Sequence, residues 1–195
     1  MKYPIIEIFD SIQGEGCHMG KTATFVRFAG CNLKCPWCDT ECSKAKEMLS
    51  LDEIIARINF NMSMVVFTGG EPTLQQLEPL FEAIQAKHPG HIMAIETNGT
   101  KDVTELQHKF PELWVTCSPK PETRWEYKGY PDELKFVIDD EITADDIRAP
   151  HEDFHVWLQP QGYDMQASWA KCFAMAMEHP EWRVGVQLHK IMEVR

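Results

Sequence analysis

A basic excess is missing from this chain: 19 Lys and Arg stand against 30 Asp and Glu, for a formal charge of −11 over 195 residues. A nucleic-acid binder needs a cationic face to neutralise phosphates, so the balance speaks against a nucleic-acid partner. Long apolar runs are missing too, since no stretch approaches the roughly 20 residues of a membrane helix. Met1-Lys2-Tyr3-Pro4 leads straight into an alternating run and has none of the character of a signal peptide. The expectation is a cytoplasmic protein with no membrane partner. Seven cysteines without a secretory segment then indicate a reducing compartment, where thiols serve metal or cluster chemistry rather than disulfides. Repeats, low-complexity segments and linkers are absent as well, so residues 1–195 are expected to form one domain with its own core.

What is present alternates between strands and helices. Tyr3 to Phe9 alternates in places and suits a first strand or edge. Thr22 to Phe28 suits a β-strand with Arg27 on the face opposite Val26 and Phe28. Leu51, Ile54, Ile55 and Ile58 recur at helical spacing behind a Ser50/Glu53 capping box. Strands are expected at Met64–Phe67, Ile92–Ile95, Leu113–Cys117, Leu134–Ile138, His155–Gln159 and Arg183–Gln187. Between them, one helix is expected to be capped by Thr73 and Gln76, to carry Leu74, Leu77, Leu80, Phe81 and Ile84 on one stripe, and to stop at His88-Pro89-Gly90. Further helices are expected over 103–110 and 142–148, and one with Met165, Trp169, Cys172, Phe173 and Ala176 on one face. Strand–helix units in series predict a parallel α/β fold. The chain is short for an eight-fold barrel of about 250 residues, so an open, partial β/α barrel of about six units is the expected architecture. The polar turns TGGEP, ETNG, SPK and QPQ follow strand C-terminal ends, where such folds collect their chemistry.

The densest chemical signal is Cys31-Asn32-Leu33-Lys34-Cys35-Pro36-Trp37-Cys38, with cysteines at i, i+4 and i+7. Three thiolates on one loop can hold three irons of a [4Fe–4S] cluster and leave the fourth open. With Cys42 as a fourth ligand, the same stretch could instead close a zinc site. Two features favour the open cluster: no second CxxC or HxxxH pair exists, and Trp37 inside the loop suits packing against an organic ligand. Cys17, Cys117 and Cys172 read as buried thiols and Cys42 as a spare. Residues 1–50 are charge-balanced, and Lys21, Lys34, Lys44 and Lys46 make the neighbourhood of the cysteine loop locally basic. That patch would suit an acidic electron donor.

CxxxCxxC with an aromatic before its third cysteine, followed by Gly69-Gly70-Glu71-Pro72 at a strand end, resembles the radical S-adenosylmethionine (SAM) superfamily. Ser11-Ile12-Gln13-Gly14-Glu15-Gly16 upstream, with Arg27 between, narrows the resemblance to its 7-carboxy-7-deazaguanine synthase family, over nearly the whole chain. The resemblance implies a [4Fe–4S] cluster on Cys31, Cys35 and Cys38, with SAM at the open iron. It implies SAM contacts from Trp37, Cys38, Asp39, Gly70, Glu71, Gly99, Ser118, Pro119, Lys120 and Gln159, with Glu71 taking the SAM ammonium. It implies substrate contacts from Ile12, Gln13, Gly14, Glu15, Arg27 and Thr97, and Mg²⁺ on Thr40. In chemical terms Arg27 suits a carboxylate through paired hydrogen bonds, and Gln13 and Glu15 suit a donor-rich pterin edge. The implied reaction contracts the ring of 6-carboxy-5,6,7,8-tetrahydropterin to 7-carboxy-7-deazaguanine with loss of ammonia and regeneration of SAM. No protein acid or base is called on, the electron donor is of flavodoxin or ferredoxin type, and the chain forms a homodimer. The family's closing segment corresponds to the stretch around His189-Lys190. Two other readings stay open on the sequence: a radical SAM activase that installs a glycyl radical, and a non-enzymatic zinc module. The first would lack the SIQGEG/Arg27 site.

Overall fold

The computed structural model describes residues 1–151, 153–162 and 165–195, and of Met165 the backbone alone. Nine strands form one sheet: β1 (Lys2–Ile12), β2 (Thr22–Phe28), β3 (Glu47–Ser50), β4 (Met64–Gly69), β5 (Ile92–Thr97), β6 (Leu113–Cys117), β7 (Glu133–Ile138), β8 (Val156–Pro160) and β9 (Arg183–Val184). Their order is β3-β1-β2-β4-β5-β6-β7-β8-β9, an open arrangement. From β2 onward all neighbours are parallel, whereas β1 runs antiparallel to both β2 and β3. Six full parallel strands from β2 to β8 match the expected partial barrel, with β9 as a two-residue rim. Helices α1 (Leu51–Arg57), α2 (Glu78–Lys87), α3 (Thr104–Lys109), α4 (Met165–Glu178) and α5 (Leu188–Ile191) complete the chain. Among the described residues no helix is long and apolar enough to cross a membrane.

Strand alternation sorts the side chains. Val26, Phe28, Val65, Phe67, Met93 and Ile95 face α1 and α2, packing on Ile54, Ile55, Leu80, Phe81 and Ile84. Leu134, Phe136, Ile138, Val156 and Leu158 do the same with Cys172 and Met175 of α4. Burying each such large side chain contributes about 1.5–3 kcal/mol. On the opposite face Ala23, Met64, Val66 and Ala94, with Phe25, Ile92 and Trp114 against them, form a separate apolar plug. The functional cavity opens above that plug.

Several expected elements differ. The Ser50/Glu53 capping box is present on α1, but Thr73 and Gln76 do not cap α2. Glu71 instead caps a 3-10 turn at Pro72–Leu74, and α2 begins at Glu78 with no side-chain cap. Pro79 explains the start, because a residue without an N–H is tolerated only in a helix's first turn. Leu74 therefore falls outside the stripe and is exposed. The helix expected over 142–148 is a 3-10 turn at Ala144–Asp146. The last strand stops at Val184, well short of Gln187. On α4 the buried positions are Ser168, Cys172 and Met175, and Phe173, one step around the helix, is 65% exposed. The Met165 side chain expected on that face lies outside the described residues. Cys117 and Cys172 are buried thiols, whereas Cys17 is half-buried.

Candidate active site

The cysteine loop leaves β2 at Phe28 and carries no regular structure before β3. Backbone bonds close it: Gly30 N donates to Cys42 O at 2.7 Å and Cys38 N to Cys35 O at 3.2 Å. Cys31 Sγ accepts from Leu33 N at 3.4 Å and from Asn98 Nδ2 at 3.9 Å. The GGEP turn presses directly on this loop. Glu71 N donates to Gly30 O at 2.8 Å, and a Cβ on Gly70 would lie 2.1 Å from that same oxygen. Only glycine permits the approach.

Cys31, Cys35, Cys38 and Cys42 line one wall of a cavity of about 680 Å³. Burial pushes the Cys35 thiol up to about 12, so taking an iron there means expelling a proton. Among the described residues no group of three or more His, Cys, Asp or Glu side chains is gathered closely enough to hold one metal ion. Cys31, Cys35 and Cys38 on that cavity wall are the thiols that would hold a cluster, and Cys42 contributes its backbone to closing the loop.

Beside the cysteines, Lys120 Nζ donates to Ser118 Oγ at 2.6 Å and lies 5.0 Å from the centre of the Trp37 ring. Trp37 is itself held by Asp139 Oδ2, 3.0 Å from its Nε1. Burial and the nearby Lys135 charge hold Lys120 below the usual lysine range, and among the described residues no carboxylate pairs with it. Asp39 Oδ2 meets Lys190 Nζ at 3.1 Å. Gln159 is buried, and its Oε1 has no hydrogen-bond partner among the described residues. An unpaired lysine and an orphaned amide oxygen on one wall suit a ligand with both carboxylate and ammonium groups, as the methionyl end of SAM has.

The expected SAM residues Trp37, Cys38, Asp39, Gly70, Ser118, Lys120 and Gln159 all line the cavity. Glu71, Gly99 and Pro119 lie behind the wall. Glu71, expected to take the SAM ammonium, is 1% exposed. Its Oε1 accepts from Thr73 N, Thr73 Oγ1 and Thr97 Oγ1, and its Oε2 from Asn98 N. These bonds clamp the β4 and β5 turns together.

The opposite wall carries the expected substrate residues. Ile12, Gln13, Gly14, Glu15, Arg27 and Thr97 all line the cavity. Arg27 Nε pairs with Glu7 Oε1 at 3.0 Å and its Nη1 donates to Thr40 Oγ1 at 3.3 Å, so the proposed anion and metal positions adjoin. Gln13 N donates to Lys21 O, Gln13 O accepts from Gly20 N, and Gly14 O accepts from Leu188 N. The carbonyls of this turn thus already serve the fold, and its side chains face the ligand space.

Below them lies a group that sequence reasoning missed. Lys135 Nζ donates to Glu15 Oε2 at 2.5 Å and to Glu96 Oε2 at 2.7 Å. Gln187 Nε2 holds Glu15 Oε1 at 2.7 Å and Gln13 Nε2 holds Glu96 Oε1 at 2.8 Å. Burial alone would raise Glu15, but the Lys135 ammonium and the bond from Gln187 outweigh it and hold the carboxyl low. Burial wins at Glu96, which stays above the ordinary range despite Lys135. Burial would lower Lys135, and its two carboxylate partners raise it instead. The signal was available: Lys135 sits between Leu134 and Phe136 in a strand interior, where an unpaired charge is prohibitive.

Known proteins resemble this chain over most of its length. Residues 25–114 match the radical SAM superfamily. The chain is 38% identical over 196 residues to the 7-carboxy-7-deazaguanine synthase of Bacteroides thetaiotaomicron, covering all of both chains. It is 34% identical over 205 residues to that of Synechocystis, covering all of this chain and 95% of that one. The crystal structure of QueE from Escherichia coli superposes with a TM-score of 0.74 at 27% identity, covering 97% of this chain and 95% of that one. With identities of 38% and 34% to these synthases over its full length, the chain belongs to the 7-carboxy-7-deazaguanine synthase family of radical SAM enzymes.

Proposed function

We propose that this chain converts 6-carboxy-5,6,7,8-tetrahydropterin to 7-carboxy-7-deazaguanine with loss of ammonia. The observation that carries the reading is one cavity with two chemically distinct walls. One holds the cysteines, Trp37, Ser118 and the unpaired Lys120; the other holds Arg27, Glu15 and Gln13. When bound, the cluster and SAM supply one-electron cleavage and hydrogen abstraction. The protein's share is to place the substrate and exclude water. Arg27 holds the pterin carboxylate through two parallel N–H bonds, and Thr40 beside it offers a hard oxygen to Mg²⁺, which keeps most of its waters. Glu15 receives N–H groups of the pterin ring, and Lys120 and Gln159 hold the methionyl end of SAM. A cavity of about 680 Å³ suits a small molecule, whereas a glycyl-radical activase needs a groove for a polypeptide.

Lys34, Lys44 and Lys46 are exposed beside the cluster loop, which supports an acidic flavodoxin- or ferredoxin-type donor docking there. Charge reversal at Lys44 and Lys46 is expected to slow flavodoxin-supported turnover and to spare turnover with a chemical reductant. Equal losses under both reductants rule the patch out. Cytoplasmic location and a homodimer complete the reading and rest on family membership. The function itself is tested by incubating anaerobically reconstituted protein with SAM, Mg²⁺, reductant and the carboxypterin. The expected product is 7-carboxy-7-deazaguanine by mass, and intact pterin with an active reductant refutes the proposal.

A further inference from the structure

Five side chains form a continuous row along the cavity floor: Gln13, Glu96, Lys135, Glu15 and Gln187. The two glutamine amides each hold an Oε1, which turns both Oε2 atoms inward onto one ammonium. Lys135 therefore stands as a hydrogen-bond donor between two acceptors. An ammonium has three protons, and among the described residues two are used, leaving one for a ligand. All five residues line the cavity, and the Lys135 side chain is only 10% exposed.

Resting on the proposed function, we infer that Glu15, Lys135 and Glu96 read the oxo face of a reduced pterin, and that Lys135 is the residue that selects an oxo over an amino group there. A tetrahydropterin presents a ring N–H, the exocyclic carbonyl oxygen and a second ring N–H in sequence along that face. This donor–acceptor–donor order is the complement of the acceptor–donor–acceptor order of the row. A 4-amino analogue places N–H groups where the carbonyl stood and strips the proton from the neighbouring ring nitrogen, so the Lys135 ammonium meets a donor with its third proton unpaired, and the carboxylate facing that nitrogen loses its donor. A desolvated site built around a hydrogen bond rejects the analogue that cannot make it.

The row gives the enzyme a selectivity that neither carboxylate supplies alone. Glu15 and Glu96 without Lys135 sense only the ring N–H groups that flank the carbonyl, not the carbonyl itself. Lys135 also joins β7 to the turn after β1 and to β5, so the recognition surface spans three parts of the chain that are far apart in sequence. It is a specificity residue that touches substrate and takes no part in moving hydrogen.

The test is a ratio of dissociation constants. On anaerobically reconstituted, SAM-loaded protein, 6-carboxy-tetrahydropterin and its 2,4-diamino counterpart are titrated by calorimetry. The unaltered protein is expected to prefer the oxo compound by roughly tenfold or more, the scale of one charged hydrogen bond. In Lys135→Met the preference should fall by more than about fivefold, any remainder coming from the carboxylate beside the ring nitrogen. That substitution leaves two buried carboxylates facing each other, so Lys135→Met/Glu96→Gln, which keeps the net charge of the group, is made in parallel and should show at least the same fall. A smaller fall in either folded variant overturns the inference. If the unaltered protein binds both compounds equally, the inference is also overturned. Turnover of the carboxypterin by the unaltered protein separates this failure from failure of the proposed function.

Discussion

Glu133 is among the deepest charges of the described residues and a sharp place to perturb the fold. It is 2% exposed, one turn of strand alternation below Lys135 on β7. Its Oε1 accepts from Thr116 Oγ1 at 2.7 Å and Trp114 Nε1 at 3.3 Å; its Oε2 accepts from Cys17 N and Trp157 Nε1, each at 2.8 Å. The bond to Cys17 N ties the end of the SIQGEG turn to the floor of the sheet. Glu133→Gln keeps the shape and exchanges one acceptor oxygen for an N–H₂, so two of four buried donors lose their partner. Each buried donor left unsatisfied costs about 1–3 kcal/mol, and the surviving bonds lose their charge. A total near 3 kcal/mol follows, or a fall in Tm of about 6–12 °C for a chain of this size.

The pH dependence carries its own sign. Burial works to raise the Glu133 carboxyl, but bonds from Thr116 and Cys17 and the Lys135 charge outweigh it and leave it below the ordinary range. A carboxyl lowered on folding stabilises fully above its unfolded pKa, about 4.3, and that contribution vanishes as pH falls through the native value. The gap between the unaltered protein and Glu133→Gln should therefore be flat from about pH 8 to 5 and narrow below about 4.3. Anaerobic melting of the reconstituted protein across that range reads it. A destabilisation under about 0.5 kcal/mol, the usual scale of surface changes, refutes the reasoning.

Gly14→Ala places a Cβ 2.0 Å from His189 Nδ1 and 3.0 Å from His189 N, so α5 must shift. A loss of about 1–3 kcal/mol is expected, with faster proteolysis of residues 188–195; unchanged proteolysis argues that this contact is slack. Thr40→Ala removes the hydroxyl beside Arg27 and should abolish the Mg²⁺ stimulation of turnover while leaving iron content intact. An unchanged metal response removes Thr40 from the metal assignment.

Much of the layout was legible because strand alternation and turn chemistry are local. β2 falls on Thr22–Phe28 and β6 on Leu113–Cys117 as expected, and Arg27 faces away from Val26 and Phe28 toward the cavity. The missed pieces are those whose cause is distant. β3 is four residues of edge strand, with too little alternation to register, and it exists because β1 offers it a free edge. β9 stops at Val184, and the next residues turn so that Leu188 N reaches Gly14 O. The Glu71 carboxylate also accepts from Thr73, Thr97 and Asn98, and the last two come from β5 and its turn, which no local pattern announces. Glu96 and Lys135 are charges set among apolar neighbours on different strands, and their partnership exists only once β5 and β7 bring them together.

The central claim is that Cys31, Cys35 and Cys38 alone ligate the cluster, leaving one iron for SAM. The most direct measurement is the electron paramagnetic resonance of the reduced, reconstituted protein with SAM labelled at its amine nitrogen, run also on Cys42→Ala. The account predicts nitrogen hyperfine coupling to the cluster in both proteins. A spectrum that ignores SAM until Cys42 is removed would show four cysteine ligands and contradict it.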